Sequence, residues 1–283
     1  AASDVYKRQR YILWAAGGFS ASLPFAQREA VARLVRFHGL PLWFFEKSDP
    51  QRAVIAASQS ARLDHVALLA EADVRGRICA DQGELLDRIA LFRLYCEEQG
   101  CLSAPYAFAS DASRFVYFQK TAGDPTYTVY EAPDATPRAV TLVSGLPGVG
   151  KDTWVSAYRA GQPIIALDAI RAELGISPRD RQGAVFATAR ERARELLRGG
   201  QSFTWNATNL TYPLRRSLIG LFAAYGAHTT LVYLDAPRAT LLRRNATRAA
   251  PVPESVLDRM ARKLEVPDLT EAHCVEWIVH DDA

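Results

Sequence analysis

The sequence GLPGVGKD at residues 145–152 has the spacing of a phosphate-binding loop. An apolar segment precedes it and a helical pattern follows it, which is the context that such a loop requires. Glycines let backbone N–H groups turn inward around phosphate oxygens, and the N-terminus of the helix adds the positive end of its dipole. Lys151 is expected to reach the β- and γ-phosphates of a nucleoside triphosphate. The predicted nucleotide-binding residues of this segment are Gly145, Leu146, Pro147, Gly148, Val149, Gly150, Lys151, Asp152 and Thr153.

One position departs from the usual pattern, because Asp152 stands where a Ser or Thr normally follows the lysine. In an ordinary loop of this kind that hydroxyl binds Mg²⁺. A carboxylate is also a good hard-oxygen ligand, so Asp152 is the predicted Mg²⁺ ligand, and Thr153 can share the phosphate contact. The alternative is that Asp152 only caps the helix and that the site is weakened.

A candidate catalytic base follows the second predicted strand. Asp168 lies at the carboxyl end of that strand, where open α/β sheets place their ligands, and it can take the proton of an attacking hydroxyl. Arg171, three residues later, shares its face if a helix starts at Asp168, and there it can hold an anionic group of the acceptor. The alternative is a helix-capping Asp beside a surface Arg.

Two further sets of polar residues follow the third and fourth predicted strands. Asn206, Thr208 and Asn209 can hydrogen-bond the acceptor, or one of them simply caps the next helix. Arg244 and Arg248 are four residues apart on one helical face, at the position of a lid, where they can neutralise the transferring phosphoryl group. The alternative for this pair is a solvated basic face.

The elements that position these residues follow a regular alternation from residue 139 onward. Strands are predicted at 139–144, 163–167, 202–206, 229–234 and 275–279. Helical patterns lie at 151–160, 182–198, 213–225, 237–248 and 253–264. This repeated alternation predicts an α/β domain with a parallel five-stranded sheet and helices on both faces.

The part before residue 139 has a different character. Helical stripes are predicted at 24–37, from residue 50 to about residue 70, and at 82–99, whereas short aromatic runs within 102–137 favour an irregular or extended linker with a hairpin. Residues 1–9 lack an initiator Met and a periodic pattern, and they resemble the translation of a sequencing-adapter junction rather than native sequence. The predicted organisation is therefore a non-native leader (1–9), a helical domain (10–102), a linker (103–137) and an α/β domain (138–283).

Composition sets broad limits on the class of protein. The 283 residues are 49% hydrophobic and 23% charged, which excludes a collagen, a coiled coil and a wholly disordered chain. No apolar run is long enough to span a membrane. The four scattered cysteines suggest reduced thiols and a cytoplasmic location. The formal net charge of +3 does not by itself indicate a nucleic-acid-binding protein.

The stretch from about residue 140 to residue 272 resembles the P-loop polynucleotide 5′-hydroxyl kinases of the end-healing type. The motifs that carry the resemblance are GLPGVGKDTW, DAIR, WNATN, LDAPRATLLRRNATR and VPESVLDRM. It implies phosphoryl transfer from ATP or another NTP, with Mg²⁺, to single-stranded 5′ ends of RNA or DNA in a bacterial cytoplasm. An RNA ligase of the same repair pathway is the implied partner.

The same resemblance implies a role for individual residues. It makes Lys151, Asp168 and Arg244 catalytic, with Asp168 as the general base. It places Arg171 on the phosphate next to the acceptor nucleoside, and Arg248 with Arg244 over the donor phosphates. In the phage member of this kinase family an Asp precedes the Thr-Asn pair after the third strand, and Ala207 replaces that Asp here.

Residues 24–102 resemble the C-terminal part of a bacterial HD phosphohydrolase domain, a domain found fused in this order to such kinases. The stretches that carry the resemblance are LVRFHGLPLWFFEKSDPQRA and ARLDHVALLAEADVRGRICAD. The His-Asp pair of the metal site is missing before the kinase part: 64–65 is Asp-His, and the pair at 280–281 lies in the wrong context. His38 and Asp73 remain, and two ligands do not make a catalytic metal site. We expect a partial HD domain without phosphatase activity.

Two other functions are compatible with the same residues. A P-loop kinase of a small hydroxyl substrate (a nucleoside, sugar or antibiotic) has the same fold, and fold alone does not separate the two. A non-catalytic nucleotide-binding fragment is the third possibility if Asp152 prevents Mg²⁺ binding.

Overall fold

The computed structural model describes residues 2–15, 23–120, 123–129, 138–177, 180, 182–248 and 251–280. The chain divides into two compact units, Ala1–Ala109 and Ser110–Ala283. Within the described ranges, no helix combines the length and the apolar character that crossing a membrane requires.

The N-terminal unit is helical. Its helices are α1 (Ala2–Ala15), α2 (Phe25–Phe37), α3 (Leu40–Trp43), α4 (Pro50–Ser58), α5 (Leu63–Arg75) and α6 (Gln82–Glu98), with a 3₁₀ turn at Phe44–Glu46 between α3 and α4. Asp49 caps α4, since its carboxylate accepts a 2.9 Å hydrogen bond from the N–H of Arg52. The core of this unit includes the buried side chains of Val54, Leu63, Val66, Ile89 and Phe92.

One feature of this unit differs from the sequence-based expectation. The helical stripe from residue 50 to about residue 70 is two helices, because the backbone at Arg62 is extended (φ −73°, ψ 119°). The Ser58 hydroxyl, at the end of α4, accepts a 3.0 Å hydrogen bond from the N–H of Tyr106.

Helix α1 begins at Ala2 and so includes most of the expected leader, whose non-native origin stays a prediction. The buried Arg10 of the same helix pairs with Glu29 at 3.2 Å.

The C-terminal unit alternates helices and strands. Its helices are α7 (Asp111–Gln119), α8 (Lys151–Tyr158), α9 (Leu167–Glu173), α10 (Gly183–Arg198), α11 (Tyr212–Ala223), α12 (Arg238–Ala246) and α13 (Glu254–Lys263). Its strands are β1 (Ala139–Ser144), β2 (Ile164–Ala166), β3 (Phe203–Asn206), β4 (His228–Asp235) and β5 (Cys274–Val279).

The five strands form one parallel sheet in the order β2-β3-β1-β4-β5, as the alternation predicted. The side chains of Val140 and Leu142 on β1 and of Trp205 on β3 are buried in one core with α10 and α11. Since all strands run the same way, the loops after β1, β2, β3 and β4 meet at one edge of the sheet. That edge carries the predicted site residues.

Helix α7 corrects the expectation of an extended linker across 102–137. Ser110 caps it, with the hydroxyl accepting from the N–H of Ser113 at 3.1 Å. Phe115 is buried and its ring stacks on His273 with centroids 3.7 Å apart, while the Arg114 guanidinium donates to the carbonyls of Leu269 and His273. The aromatic run suggested a strand, but tertiary packing against the sheet stabilises a helix. Tyr130, at the end of the second run, lies outside the described residues.

Candidate active site

The phosphate-binding loop joins β1 to α8 and its backbone requires glycine. Gly145 has φ 149°, and a Cβ there would lie 2.7 Å from the carbonyl oxygen of Leu234. Gly150, directly before α8, has φ 99° in the left-handed region. The N–H of Gly145 donates to the carbonyl of Thr208 at 3.0 Å, which fixes the start of the loop to the chain after β3. The loop is therefore preorganised by its own backbone.

Lys151 is directed into this loop. Its Nζ donates to the carbonyl oxygens of Gly145 (3.0 Å) and Leu146 (2.8 Å). Burial lowers the pKa of the Lys151 ammonium to about 8. An anionic phosphate beside this ammonium would favour its charged form.

Three charged residues predicted for the site influence the pKa of the Lys151 ammonium. The carboxylates of Asp152 and Asp168 oppose the lowering of the Lys151 pKa, and the Arg248 guanidinium adds to it. These residues come from three separate parts of the chain: the start of α8, the start of α9 and the end of the segment after β4. Groups predicted for the donor side and for the acceptor side thus influence the same ammonium through their charges.

Arg244 lies against the phosphate-binding loop. It projects from α12 and its Nη1 donates to the carbonyl of Val149 at 3.3 Å. The same nitrogen is 3.8 Å from the position that a Cβ on Gly150 would take. A guanidinium at this place can neutralise charge on phosphate oxygens held by the loop. Arg248 follows α12, and residues 249–250 next to it lie outside the described part of the chain.

On the acceptor side, Asp168 lies in the first turn of α9 with its carboxylate exposed. It forms an ion pair with Arg171, whose Nε also donates to Oε1 of Gln182 at 2.8 Å. Arg171 is therefore held between a carboxylate and an amide. Sequence reasoning missed Gln182, because the approach of the residue before α10 to α9 depends on helix packing rather than on spacing.

The three polar residues predicted to contact the acceptor, at and just after the end of β3, make different contacts. The buried Asn209 donates from Nδ2 to the carbonyl of Val143 at 2.6 Å and adopts φ 42°, so its amide nitrogen supports the start of the loop, and its contact with the acceptor stays a prediction. Asn206 donates from Nδ2 to Oδ1 of Asp152 at 2.7 Å. Thr208 uses its carbonyl to hold Gly145, and its hydroxyl stays the predicted acceptor contact.

The donor set beside the loop fits a hard divalent cation. Asp152 offers a carboxylate, and Oδ1 of the buried Asn206 has no hydrogen-bond partner in the structure. Oxygen ligands of this kind are those that Mg²⁺ prefers, with most of its remaining positions filled by water and phosphate. Within the described residues there is no group of three or more His, Cys, Asp or Glu side chains able to hold a metal ion by themselves.

A cavity of about 790 Å³ opens beside the loop, between α8 and β5. Trp154 and Tyr158 provide an aromatic wall, with ring centroids 5.4 Å apart. Thr153, Arg244 and His280 also line it. Its volume is in the range that holds a nucleotide-sized ligand. Sequence reasoning missed this cavity, because its two walls are far apart along the chain.

The candidate HD residues of the N-terminal unit have contacts within that unit. Nδ1 of His38, at the end of α2, lies 2.7 Å from the carbonyl oxygen of Val35. Asp73 on α5 forms an ion pair with Arg77, four residues later. Of the His-Asp pair at 280–281, the second residue lies outside the described residues.

Comparison with known proteins agrees with this reading of the C-terminal unit. Residues 140–267 match the family model of an AAA domain. The L-seryl-tRNA(Sec) kinase of Methanococcus maripaludis is 26% identical over 133 residues, which are 44% of this chain and 52% of that protein. The chain thus spans about half the length of that curated relative.

Solved structures give lower similarity. A putative kinase from Chloroflexus aurantiacus is 24% identical with a TM-score of 0.43, covering 51% of this chain and 85% of that one. The structure of a Pnkp1/Rnl/Hen1 complex is 14% identical with a TM-score of 0.38, covering 44% of each chain. The parallel sheet, the phosphate-binding loop and the match to the AAA family model agree on a P-loop fold for residues 140–267. The HD assignment of the N-terminal unit stays a prediction.

Proposed function

We propose that this chain transfers the γ-phosphoryl group of ATP, or of another NTP, to the 5′-hydroxyl end of RNA or DNA. The observation that supports this most is that Asp168, in the first turn of the helix after β2, acts through its charge on the Lys151 ammonium of the phosphate-binding loop. A carboxylate able to accept a hydroxyl proton on the same side of the sheet as the loop is what transfer to a hydroxyl acceptor requires. A P-loop protein that only binds nucleotide does not need such a base.

The proposed chemistry follows from this arrangement. The loop N–H groups and Lys151 hold the β- and γ-phosphates, while Asp168 takes the proton of the acceptor hydroxyl. The hydroxyl oxygen forms a bond to the γ-phosphorus as the bond from that phosphorus to the β–γ bridging oxygen breaks, and NDP leaves. Arg244 and Arg248 neutralise the charge spread over the phosphoryl oxygens. Asp152 would hold Mg²⁺, and the ion would supply additional charge neutralisation at the donor phosphates.

A nucleic-acid acceptor is supported by two observations. Arg171 lies beside the proposed base, where a guanidinium can fork onto a backbone phosphate. The Methanococcus relative is by its name a kinase of a seryl-tRNA, so its acceptor is attached to a nucleic acid. A 5′-phosphate made in this way is a substrate for end joining, and an RNA ligase of the same cytoplasmic repair pathway is the proposed partner.

A small hydroxyl substrate is the second candidate, and one contact favours it. Arg171 is already neutralised by Asp168 and bonded to Gln182. A polyanion would have to compete with both of these groups for the guanidinium. An uncharged acceptor would need only Asp168.

Transfer of label from γ-labelled ATP to a 5′-hydroxyl oligonucleotide, measured beside a panel of nucleosides, sugars and gluconate, tests the proposal. Labelling of the oligonucleotide supports it, and labelling of a small acceptor alone supports the second candidate. Nucleotide binding without transfer to any acceptor would contradict both. In parallel, we propose that the helical unit has no phosphatase activity, and phosphate release from a 3′-phosphorylated or cyclic end with Mn²⁺ or Ni²⁺ would contradict this.

A further inference from the structure

The side chains of Asp152 and Asn206 are hydrogen-bonded to each other beside the phosphate-binding loop. Asp152 is the second residue of α8, directly after the loop lysine, and Asn206 is the last residue of β3. Asn206 pairs in register with Val143 of β1, next to the start of the loop. The two side chains therefore meet where the loop, the helix and the neighbouring strand converge.

The hydrogen bond fixes which way the amide of Asn206 points. Its Nδ2 donates to Oδ1 of Asp152 at 2.7 Å, and a flipped amide would place two oxygen acceptors against each other. The amide oxygen is therefore turned away from Asp152. That oxygen is buried without a hydrogen-bond partner in a residue that is 8% exposed. A buried acceptor of this kind is costly unless a ligand or water completes its bonding.

In an ordinary P-loop the hydroxyl after the lysine and an aspartate on a neighbouring strand hold Mg²⁺ together. Here the helix supplies the carboxylate and the strand supplies the neutral donor. The pair keeps one negative charge and one hydrogen bond, but the carboxylate is now on the helix and the neutral side chain is on the strand. The hydrogen bond is therefore donated by the strand residue to the helix residue.

We propose that Asp152 and Asn206 are an exchanged metal-binding pair, in which Asp152 is the carboxylate ligand and the Asn206 amide oxygen receives the hydration shell of the ion. This inference rests on the proposed nucleotide site. It gives Asp152 a positive role in place of the weakened site that its departure from the usual pattern suggests. It also assigns Asn206 to the donor side of the site, away from the acceptor.

The proposal excludes a purely structural pair, in which Asn206 only ties β3 to α8. The variant Asp152→Asn separates the two roles, because its amide oxygen still accepts from Asn206 while the negative charge is lost. The exchange variant Asp152→Ser/Asn206→Asp rebuilds the ordinary arrangement of hydroxyl and carboxylate. Asp152→Ser alone is its matched control, with the hydroxyl but without a carboxylate on either residue.

The measurement is Mn²⁺ binding to the protein–NTP complex by electron paramagnetic resonance, with metal-free NTP affinity measured on the same samples. We expect Asp152→Asn to weaken Mn²⁺ binding by roughly 10- to 100-fold with metal-free NTP affinity little changed. We expect Asp152→Ser to weaken it as much, and the exchange variant to recover most of the loss.

Unchanged Mn²⁺ affinity in Asp152→Asn, or an exchange variant no better than Asp152→Ser, would overturn the proposal. Circular dichroism identifies a variant that fails to fold, and the isosteric Asp152→Asn then decides alone. Failure of the wild-type chain to bind any NTP would instead contradict the proposed function. The two failures are thus distinguishable.

Discussion

The two halves of the candidate site are built differently. On the donor side, backbone groups make most of the contacts that position the site. Gly145 is fixed between the carbonyls of Thr208 and Leu234, and the Lys151 ammonium is held by loop carbonyls. On the acceptor side, Asp168 stands exposed on the seven-residue helix α9 after a three-residue strand, and its ion pair with Arg171 connects groups on that same helix. Contacts within the protein fix the donor side, whereas the acceptor side has partners that a substrate can exchange.

This difference predicts that acceptor-side changes affect the rate of transfer or the KM for the acceptor, and that donor-side changes affect the affinity for nucleotide. Substitutions that produced the opposite pattern would break the distinction.

Asp168→Asn is expected to lower the rate of phosphoryl transfer by roughly 10² to 10⁴-fold, because the amide cannot accept the hydroxyl proton. NTP affinity should change far less, since Asp168 acts on the loop through its charge alone and is the smallest of the charged influences on the Lys151 pKa. Single-turnover transfer and equilibrium NTP binding measure the two quantities separately. Glu173→Gln, which removes a charge from the same helix, is the control. Equal loss of NTP binding in Asp168→Asn would instead indicate a structural role.

Gly145→Ala is expected to lower NTP affinity by roughly 100-fold, because the added Cβ lies 2.7 Å from the Leu234 carbonyl and displaces the loop N–H groups. The strained backbone should also cost on the order of 1–3 kcal/mol of folding free energy. Calorimetric titration and thermal unfolding measure the two effects. Gly161→Ala is the matched control, because a Cβ there meets nothing within 4 Å. Wild-type affinity in Gly145→Ala would show that the loop is less rigid than its contacts indicate.

Lys151 should make nucleotide binding depend on pH. Its pKa is about 8, so the ammonium that attracts phosphate is present below that pH and is lost as the pH rises through it. NTP affinity is therefore expected to be constant below about pH 8 and to fall above it by up to about tenfold per pH unit. Lys151→Arg, which stays charged, should give a flat profile, and an equally steep fall in that variant would assign the titration to another group.

The sequence allowed the phosphate-binding loop to be predicted more fully than the contacts between separate elements, for a physical reason. A loop made by backbone conformation needs particular residues at fixed spacing, so Gly145, Gly150 and Lys151 were recognisable directly. The meeting of Asp152 with Asn206 depends on β3 lying next to β1, and the order of strands in a sheet is not written in local spacing. Gln182 reaches Arg171 for the same kind of reason.

The helices and strands also show that local sequence patterns do not predict what depends on tertiary contacts. The five strands follow from the alternation of apolar segments, and their predicted positions agree with the sheet to within a residue or two. Helix α7 was missed because its aromatic side chains pack against the sheet through Phe115, and α4 and α5 were merged because the break before Leu63 carries no Gly or Pro. Local propensity is a weak guide where tertiary contacts decide the backbone.

The smallest expected effect concerns Arg171, and it separates the two candidate acceptors. If Arg171 leaves Asp168 to bind a backbone phosphate, Arg171→Ala should raise the KM for a 5′-hydroxyl oligonucleotide by roughly 3- to 10-fold. The salt dependence of oligonucleotide binding should then become shallower by about 0.7 in the slope of log affinity against log salt, because one fewer counterion is released from a single strand. Arg192→Ala is the matched control, since Arg192 pairs with Glu173 on the exposed surface nearby. A lower transfer rate with unchanged KM and slope would mean that Arg171 only orients Asp168, and that result would favour the small hydroxyl acceptor.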